Sequence, residues 1–380
     1  MNDAARPPRP GEELDLPRLE GYLKEAIPGL SGTLEVLQFP SGHSNLTYLL
    51  RVGDTEMVLR RPPRGKKPKS GHDMHREWVL LNALHGAFPV PKPLAYCDDP
   101  AVLGAPFYVM ERIRGLILRR DLPPDLALSP AEVRGLCERL IDTHRRLHSL
   151  DYRALGLGDF GRPEGYVRRQ VEGWARRYRD ARTPNVPDFE EVIAWLEAHM
   201  PPERGAALIH NDYRFDNVVF EISPFPRPAQ APDTPSPPLT REGRGTGGGE
   251  RSTTFRVVGV LDWELATIGD PLMDLGASLA YWVEADDPPE MQAVRLGPTN
   301  APGALTRREV VQRYIADTDL TADDLRFYFV YGLFRLAGIA QQIYYRYYHG
   351  QSRDERFRHF DKAVAELARA ARRAMEGWGL

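Results

Sequence analysis

The sequence predicts an α+β fold of two lobes, in which a small antiparallel sheet carrying one helix precedes a larger, mostly helical lobe. Apolar and polar residues alternate in short runs over residues 33–62, as they do in half-buried strands. After residue 121 the pattern becomes helical, with apolar residues recurring three and four positions apart. Within that helical part, two short runs at 217–220 and 257–261 are typical of strands. The change of period separates the two lobes.

The first lobe is predicted to span residues 31–113. It follows a lead-in, residues 1–30, that is expected to be mostly disordered, including its first dozen residues, and to contain a first helix. Strands are predicted at 34–39, 46–52 and 57–61, with a further strand pair within 102–113. A helix is predicted over 71–85, because four apolar side chains share one of its faces: Met74, Trp78, Leu81 and Leu84.

The second lobe, residues 114–380, begins with a helix whose start is marked in the sequence. Ser129, Pro130 and Glu132 combine an N-cap, a first-turn proline and a capping-box acid, so this helix is predicted to run to residue 149. Further helices are predicted at 166–180, 188–200, 308–317, 321–348 and 354–375. The two short strands would pair as a hairpin. Their connection, residues 223–254, is rich in Pro, Gly, Ser and Thr and buries too little apolar surface to offset its ordering entropy, which predicts a disordered insertion.

Composition argues against several classes of function. The 380 residues are 42% hydrophobic and 27% charged, as in ordinary globular proteins, and the formal net charge of −3 gives no support for a nucleic-acid partner. No apolar run approaches the roughly 18 residues of a membrane span, and the charged start lacks a signal-peptide core. No membrane association and a cytoplasmic location are therefore expected. Cys97 and Cys137 form no metal or disulfide motif and are expected to be inert core residues, while the oligomeric state stays open.

A catalytic loop is indicated by residues 208–220, LIHNDYRFDNVVF, which place His210, Asp212 and Asn217 together before an apolar strand. Phosphoryl transfer needs an acid that accepts the proton of the attacking hydroxyl and an amide oxygen that helps to hold Mg²⁺ against the phosphates. Asp212 is the candidate base, and Asn217 is a candidate metal ligand. His210 is expected to orient the loop through hydrogen bonds. The alternative is a solvated turn followed by a hairpin.

A second metal ligand is expected where a nearby strand ends. Residues 257–264, VVGVLDWE, place Asp262 directly after four apolar residues and a glycine. A carboxylate is rare at such a buried position unless it has a partner or a metal, so Asp262 is the main candidate carboxylate for Mg²⁺. Glu264 would lie on the same side as Asp262 only if the strand continued.

Two features of the first lobe are candidates for contacts with nucleotide phosphates. Glu77 lies on or beside the apolar face of its helix, where an acid needs a partner, and Arg60 on the third strand is the natural one. Such a pair grips the α- and β-phosphates in kinase-like sites, although lysine is the usual cation; a surface ion pair is the alternative. Ser44 and Asn45 lie in the turn SGHSN, whose small residues would let backbone N–H groups approach phosphates, and an ordinary β-turn is the alternative.

Other motif matches in the chain are not interpreted as sites. The GxGxxG match at 156–161 follows a helix, whereas a dinucleotide-binding turn follows a strand. No GxxxxGK[ST] sequence occurs, which excludes a Walker-type nucleotide site. His144 and His148 lie four positions apart on one helix, but HRRLH lacks the glutamate of HExxH, so a core or surface pair is favoured over a zinc site.

Taken together, the segments HNDYRFDN, VLDWELATIGDPLMDLG, VLRRPP and HREWVLLNAL resemble the aminoglycoside phosphotransferase (APH) family of small-molecule kinases over about residues 30–350. SGHSNLTYLL, FYVMERIRG and LDWELATIGDP are most similar to the kinase-like domain fused to some acyl-CoA dehydrogenases. The resemblance implies a protein-kinase-like bilobal fold with ATP in the cleft. It makes Asp212 the base and Asn217 and Asp262 the Mg²⁺ ligands, and it gives Arg60 and Glu77 the place of the lysine–glutamate pair.

The resemblance also implies roles for residues around the cleft. Met110, Glu111 and Ile113 would lie along a hinge at the adenine edge and contact it largely through backbone atoms. Asp270 and Asp274, in GDPLMDLG, would fix the catalytic loop and cap the following helix. The long insertion at 223–254 departs from the tight hairpin of the family.

The function expected from these residues is ATP- and Mg²⁺-dependent transfer of the γ-phosphate to a hydroxyl of a small molecule, with a hydroxyacyl acid or hydroxyacyl-CoA as the acceptor that the resemblance suggests. The alternative is a catalytically inactive nucleotide- or CoA-binding regulatory module, because arginine stands at the lysine position. An aminoglycoside acceptor is disfavoured, since residues 281–380 contain 14 acidic and 14 basic residues rather than an acidic excess. An aromatic cluster could line an acyl pocket, although its helical spacing is more typical of core packing: Tyr344, Tyr345, Tyr347 and Tyr348.

Overall fold

The structure, a computed structural model, describes residues 5–40, 45–63, 73–224, 253–377 and 379–380. The strands are β1 Leu34–Gln38, β2 Leu46–Val52, β3 Thr55–Arg61, β4 Pro93–Cys97, β5 Phe107–Glu111, β6 Leu116–Ile117, β7 Ala207–Ile209, β8 Val218–Pro224, β9 Thr253–Val260 and β10 Thr267–Gly269. The helices are α1 Leu16–Ala26, α2 Met74–Leu84, α3 Pro100–Leu103, α4 Pro130–His148, α5 Tyr166–Ala181, α6 Glu190–Ala198, α7 Pro271–Ala280, α8 Pro289–Val294, α9 Arg307–Ile315, α10 Arg326–Tyr348 and α11 Phe360–Met375.

The first lobe is a five-stranded antiparallel sheet with the order β1-β2-β3-β5-β4. Helix α2 begins after Asp73, whose carboxylate accepts the N–H of Arg76 at 3.0 Å. It buries Met74, Leu81 and Leu84, as the apolar pattern predicts. The sheet thereby brings β3 and α2, which carry the candidate phosphate-binding pair, to the same side of the lobe.

One prediction about the first lobe and one about the lead-in are wrong. The strand pair predicted within 102–113 holds only for its second half: β5 pairs with β4, which lies earlier in the chain, and the segment between them forms α3. Asp99 caps this helical turn and Gly104 ends it with a φ of +77°, two local signals that outweigh the apolar residues between them. Residues 5–12 are also ordered, because the N–H groups of Arg6 and Arg9 donate to the buried Gln38.

The second lobe is mostly helical, as predicted, and positions the catalytic loop. Strands β8 and β9 form the predicted hairpin and β6 adds a third strand, while β7 and β10 pair separately. The hairpin continues further than predicted, to Pro224 and from Thr253, and residues 225–252 of the predicted insertion lie outside the described residues. Among the helices of the described residues, none combines the length and apolar character needed to cross a bilayer.

Candidate active site

The catalytic loop connects β7 to a short 3₁₀ turn and is held by the buried carboxylate of Asp274 on α7. Asp274 Oδ1 accepts the N–H of Asn211 and Oδ2 accepts the N–H of His210, both at 2.7 Å. Asn211 adopts a left-handed backbone conformation with a φ of +64°, which asparagine tolerates better than most residues. Asp270 accepts the N–H of Leu272 at 2.8 Å and caps α7. These contacts match the positions expected for both aspartates.

The His210 ring connects the loop to the strand that precedes Asp262. Its Nε2 lies 2.9 Å from the carbonyl oxygen of Leu261, and its Nδ1 accepts the N–H of Asp212 at 3.2 Å. With both ring nitrogens engaged by the backbone, His210 orients the loop and has no free nitrogen for acid–base chemistry.

The candidate base and the first candidate metal ligand are in direct contact. Asn217 Nδ2 donates to the carbonyl oxygen of Asp212 at 2.8 Å and to Asp212 Oδ2 at 3.0 Å. These bonds fix the orientation of the amide, and no described residue donates a hydrogen bond to Asn217 Oδ1. The side chain of Asp212 is 17% exposed, so a small molecule in the cleft can reach it.

The second candidate metal ligand follows on the neighbouring strand. The N–H of Leu261 donates to the carbonyl oxygen of Asn217 at 2.8 Å, which brings Asp262 alongside Asn217. Asp262 has a φ of +65°, and its side chain is 39% exposed toward the cleft. Strained backbone of this kind persists where the surroundings impose it, often at functional sites. An amide oxygen and a carboxylate suit Mg²⁺, a hard cation that prefers oxygen ligands, so this donor set fits the expected metal.

Arg60 lies at the centre of the predicted phosphate-binding pair. Its Nη1 is 3.3 Å from Glu77 Oε2, and its Nη2 is 2.8 Å from Asp262 Oδ1 and 3.4 Å from Glu264 Oε2. The side chains of Arg60 and Glu77 are 9% and 3% exposed, so the alternative of a surface ion pair is wrong. The arginine fork reaches three carboxylates, which the point charge of a lysine could not contact in the same way.

Burial and pairing act in opposite directions on the acids around Arg60. Burial raises the pKa of the Glu77 carboxyl, while Arg60 and the Tyr108 hydroxyl, which donates at 2.7 Å, favour its ionised form. Burial would also raise the pKa of Asp262, but Arg60 outweighs it and lowers that pKa below its ordinary value. Asp262 is therefore ionised at neutral pH, as a metal ligand must be.

The predicted phosphate turn is described only in part. Ser44 lies outside the described residues. Asn45 is buried, and its side-chain Nδ2 donates to Glu264 at 2.7 Å and to Glu77 at 3.4 Å. Glu264 is expected to lie on the same side as Asp262 only if the strand continues. It does not continue, because β9 ends at Val260 and residues Trp263–Leu265 form a 3₁₀ turn. This turn nevertheless brings the Glu264 carboxylate to Arg60 and Asn45.

The predicted hinge residues lie where β5 leaves the first lobe. Met110 is buried in β5, and Glu111, its last residue, is exposed. The N–H of Glu111 donates to the carbonyl oxygen of Lys92 at 2.8 Å, so this N–H is already engaged. Ile113 packs against Gly259, where a Cβ atom would lie 2.5 Å from Ile113 Cδ1. Glycine at 259 thus allows Ile113 to approach β9 closely.

Arg214 is a site residue that sequence reasoning missed. Its Nη2 lies 3.1 Å from Asp212 Oδ2 and its Nε lies 3.0 Å from Asp216 Oδ1, and its guanidinium stacks 5.0 Å from the centre of the Tyr281 ring. Burial would lower the pKa of Arg214, but Asp212 and Asp216 raise it above its usual range, so the cation persists. The sequence signal that could have identified Arg214 is its position between Asp212 and Asp216, two residues after the candidate base.

His144 and His148 meet at Asp274 rather than on the surface. The Nε2 atoms of both rings lie 3.1 Å from Asp274 Oδ2, and the three candidate ligand atoms lie within 4.8 Å of one another, close enough to hold a metal ion. The hydrogen bonds account for the cluster without one: each Nε2–H donates to the carboxylate, and Tyr314 donates to His148 Nδ1 at 2.5 Å. Burial lowers the pKa of His144 to about 4.

The tyrosines predicted as a possible acyl pocket contact one another and the loop between α5 and α6. The hydroxyl of Tyr344 accepts a hydrogen bond from Asn185 at 2.8 Å, and its ring stacks on Tyr347 with 6.5 Å between centres. Tyr348 is 47% exposed. Of the four, only Tyr344 is buried, so the core-packing interpretation holds for Tyr344 and is wrong for the exposed Tyr348.

A protein-kinase-like bilobal fold with these residues in its cleft defines the class of protein, a small-molecule phosphotransferase. The chain belongs to the phosphotransferase enzyme family (APH), whose sequence profile matches residues 35–226 and 252–309. Over 362 residues it is 35% identical to acyl-CoA dehydrogenase family member 11 of Gallus gallus. That match covers 92% of this chain and 42% of the relative, so the chain spans about two fifths of the relative's length. The resemblance inferred from the sequence is confirmed.

Solved structures confirm the fold. A protein of Ralstonia eutropha JMP134, provisionally assigned as an aminoglycoside phosphotransferase, superposes with a TM-score of 0.74 at 28% identity, over 96% of this chain and 99% of that one. The streptomycin–ATP complex of APH(2″)-IIa superposes with a TM-score of 0.52 at 17% identity, over 87% of this chain and 90% of that one. The second similarity is one of fold alone.

Proposed function

We propose that the protein is an ATP- and Mg²⁺-dependent kinase that transfers the γ-phosphate to a hydroxyl of a small molecule. The observation that carries the proposal is the bond from Asn217 Nδ2 to Asp212 Oδ2 at 3.0 Å, beside the strand end that carries Asp262. This contact joins a carboxylate suited to accept a hydroxyl proton to an amide suited to hold a metal. The APH(2″)-IIa complex, which contains ATP, supports ATP as the donor.

Each residue of the cleft has a defined part in the proposed reaction. Asp212 accepts the proton as the acceptor hydroxyl attacks, and Arg214, whose Nη2 lies 3.1 Å from Asp212 Oδ2, holds the Asp212 side chain in place. Arg60, oriented by Glu77, contacts the phosphates of the nucleotide. Asn217 Oδ1 and Asp262 would hold Mg²⁺, which supplies positive charge to the phosphate oxygens when bound.

For the acceptor we infer a hydroxyacyl acid or a hydroxyacyl-CoA. Support comes from the relative named acyl-CoA dehydrogenase family member 11, of which 42% matches this chain. A phosphotransferase that shares a chain with an enzyme of that name would act on a related acyl compound. An aminoglycoside is a weaker candidate, because Arg214 lies 3.1 Å from Asp212 and its charge would repel a polycationic acceptor.

The proposal is tested by Mg²⁺-ATP turnover with a panel of acceptors. The panel contains short- and medium-chain hydroxy acids, their CoA thioesters and one aminoglycoside, and phosphorus NMR detects the product. We expect a phosphate ester with at least one hydroxyacyl compound and none with the aminoglycoside. ADP formation without an ester, or no turnover with any acceptor, would contradict a kinase function.

An inactive nucleotide-binding module is the second candidate, favoured by the arginine at position 60 and its 2.8 Å contact with Asp262. Thermal denaturation with ATP, with and without Mg²⁺, separates the two. A kinase is expected to be stabilised more by ATP with Mg²⁺ than by ATP alone. A module of the second kind would gain the same stabilisation from ATP in both conditions.

A further inference from the structure

Arg335, in the middle of α10, is buried beside the catalytic loop and carries no ion pair within the described residues. It is 5% exposed. Its Nη2 donates to the carbonyl oxygen of Asn211 at 2.7 Å, and its guanidinium lies 5.5 Å from the centre of the Trp174 ring. In the described part of the chain, Nε and Nη1 donate no hydrogen bond. Two of its three guanidinium nitrogens, Nε and Nη1, are therefore available to donate to a ligand.

Other buried arginines of the same lobe are paired. Arg307, whose side chain is 3% exposed, binds both oxygens of Asp287, at 2.6 and 2.9 Å. Arg295, with a side chain 6% exposed, contacts Asp121 at 2.6 Å. A buried charge without a partner is costly, so it is retained where it has a task that a neutral residue could not perform. Arg335 differs from these two arginines because no carboxylate of the described residues pairs with it, so its charge is expected to have a separate function.

The surroundings of Arg335 place it on the acceptor side of the candidate base. Its carbonyl partner, Asn211, immediately precedes Asp212. The aromatic residues that influence it electrostatically or stack on it all belong to the second lobe: Tyr166, Trp174, Tyr281 and Tyr331. Burial would lower the pKa of Arg335, but Tyr331, Tyr281 and Asp212 raise it, so the guanidinium stays charged. The candidate nucleotide contacts, by contrast, come from Arg60 and the first lobe.

We propose that Arg335 binds an anionic group of the phosphate acceptor, a carboxylate or a phosphate ester, and so selects acidic acceptors. The acceptor-side assignment rests on the proposed function, whereas the anion site itself does not. A guanidinium with two unused donors can hold such a group by charge-assisted hydrogen bonds, and the neighbouring rings suit an apolar chain. Cationic acceptors would be repelled by the same charge.

Binding without ATP tests the anion site independently of any reaction. Isothermal titration compares four probes with the same chain: octanoate, octyl phosphate, octanamide and octylamine. We expect octanoate or octyl phosphate to bind at least about tenfold more tightly than octanamide, since hydrogen bonds to charged groups are the stronger class. Which of the two anions binds better identifies the group. Equal binding of octanamide and both anions, or preference for octylamine, would overturn the proposal.

Variants assign any preference to Arg335. Arg335→Gln is expected to abolish the difference between the anions and octanamide, and Arg335→Lys to retain part of it. Arg346→Gln, the same substitution on an exposed turn of α10, is the matched control and should leave the difference unchanged. If Arg335→Gln folds with an unaltered circular dichroism spectrum and still prefers the anion, the proposal fails. If Arg335→Gln does not fold, Arg335→Lys carries the test: a smaller preference for the anions is expected, and a preference as large as that of the wild type would overturn the role of the guanidinium fork.

Turnover then separates this proposal from the proposed function. With a hydroxy acid and its neutral amide as acceptors, Arg335→Gln should raise KM for the acid about tenfold to a hundredfold and leave KM for the amide and for ATP unchanged. An equal loss on both acceptors would indicate that Arg335 only supports the loop, and would overturn its role in recognition. If the wild type binds octanoate selectively but transfers no phosphate, the kinase function fails and the anion site stands.

Discussion

Arg60 links the two lobes at the proposed nucleotide side of the cleft. It extends from β3 to Glu77 on α2, and also to Asp262 and Glu264 of the second lobe. Its planar fork allows these contacts together, whereas lysine would present one ammonium group. Arginine at this position is therefore compatible with the paired arrangement expected of a kinase-like site.

Removing the charge of Arg60 should destabilise the protein more than shortening its reach. Arg60→Met would leave the buried Glu77 without a cation, a loss of about 3–5 kcal/mol in the free energy of unfolding. Arg60→Lys should cost less, because the ammonium can still pair with Glu77. Urea denaturation of both variants measures the difference, and a methionine variant as stable as the wild type would contradict the importance of the pair.

Loss of the Asp262 charge should remove the effect of Mg²⁺ on nucleotide binding. For Asp262→Asn we expect ATP to raise the melting temperature equally with and without Mg²⁺, because the anionic oxygen ligand is gone. Differential scanning fluorimetry measures the shifts. Asp286→Asn, at an exposed aspartate, is the control. If Mg²⁺ still increased the rise in melting temperature caused by ATP in Asp262→Asn, Asp262 would be excluded as the main metal ligand.

Two helices of the second lobe carry the groups that hold the catalytic loop, and glycines let them cross closely. Helix α7 supplies Asp274 and α10 supplies Arg335. At the crossing, a Cβ on Gly276 would overlap the carbonyl oxygen of Tyr328, and one on Gly332 would overlap the carbonyl oxygen of Gly276. These positions need the absence of a side chain, because backbone atoms cannot move aside cheaply.

Alanine at the crossing should destabilise the fold although alanine favours helices. Gly276→Ala or Gly332→Ala is expected to lower the free energy of unfolding by about 1–3 kcal/mol through overpacking. Gly135→Ala on α4, where no atom lies within 4 Å of the added Cβ, should instead raise it by about 0.5–1 kcal/mol. Chemical denaturation compares the three variants. Stabilisation by all of them would mean that the helices are further apart than described.

Elements with strong local signals could be predicted, and elements made by distant partners could not. Helix α4 was predicted within one residue at each end because its capping box and apolar period are local. Strand β7 is three residues long and exists through its pairing with β10, which no local pattern indicates. The same holds in the site: Asp212, Asn217 and Asp262 follow from motifs, whereas Arg335 meets Asn211 across a separation of 124 residues.

Across the whole molecule, the cleft is closed by polar contacts between the lobes and supported by a buried cluster beneath it. Arg60 contacts Asp262 and Asn45 contacts Glu264, so both lobes contribute to the proposed nucleotide side of the cleft. Beneath the loop, Asp274 accepts hydrogen bonds from His144 and from the backbone of the loop. The stability of the fold and the geometry of the candidate site therefore depend on the same carboxylate.

This shared cluster should make stability fall in mild acid. The pKa of His144 is lowered to about 4 by burial, whereas a histidine of the unfolded chain titrates near pH ~6.5. Between these values the unfolded state binds a proton that the folded state does not, so stability present above pH ~6.5 is lost as the pH falls toward about 4. Asp274, with a pKa well below its usual value, extends the loss to lower pH.

Urea denaturation at about pH 7.5 and about pH 5 measures this effect. We expect a loss of roughly 2 kcal/mol at the lower pH from His144, and a smaller loss in His144→Gln, which cannot titrate there. Equal pH dependence in the wild type and in His144→Gln would contradict a neutral, buried His144.

The most direct test of the central claim compares kcat for Mg²⁺-ATP and an accepted hydroxyl compound between the wild type and Asp212→Asn. Removing the proton acceptor should lower kcat by at least about 100-fold and leave the affinity for ATP unchanged, because Asn217 and Asp262 remain. Asp286→Asn should match the wild type. If Asp212→Asn transfers phosphate at the wild-type rate, Asp212 is not the base and the proposed mechanism is wrong.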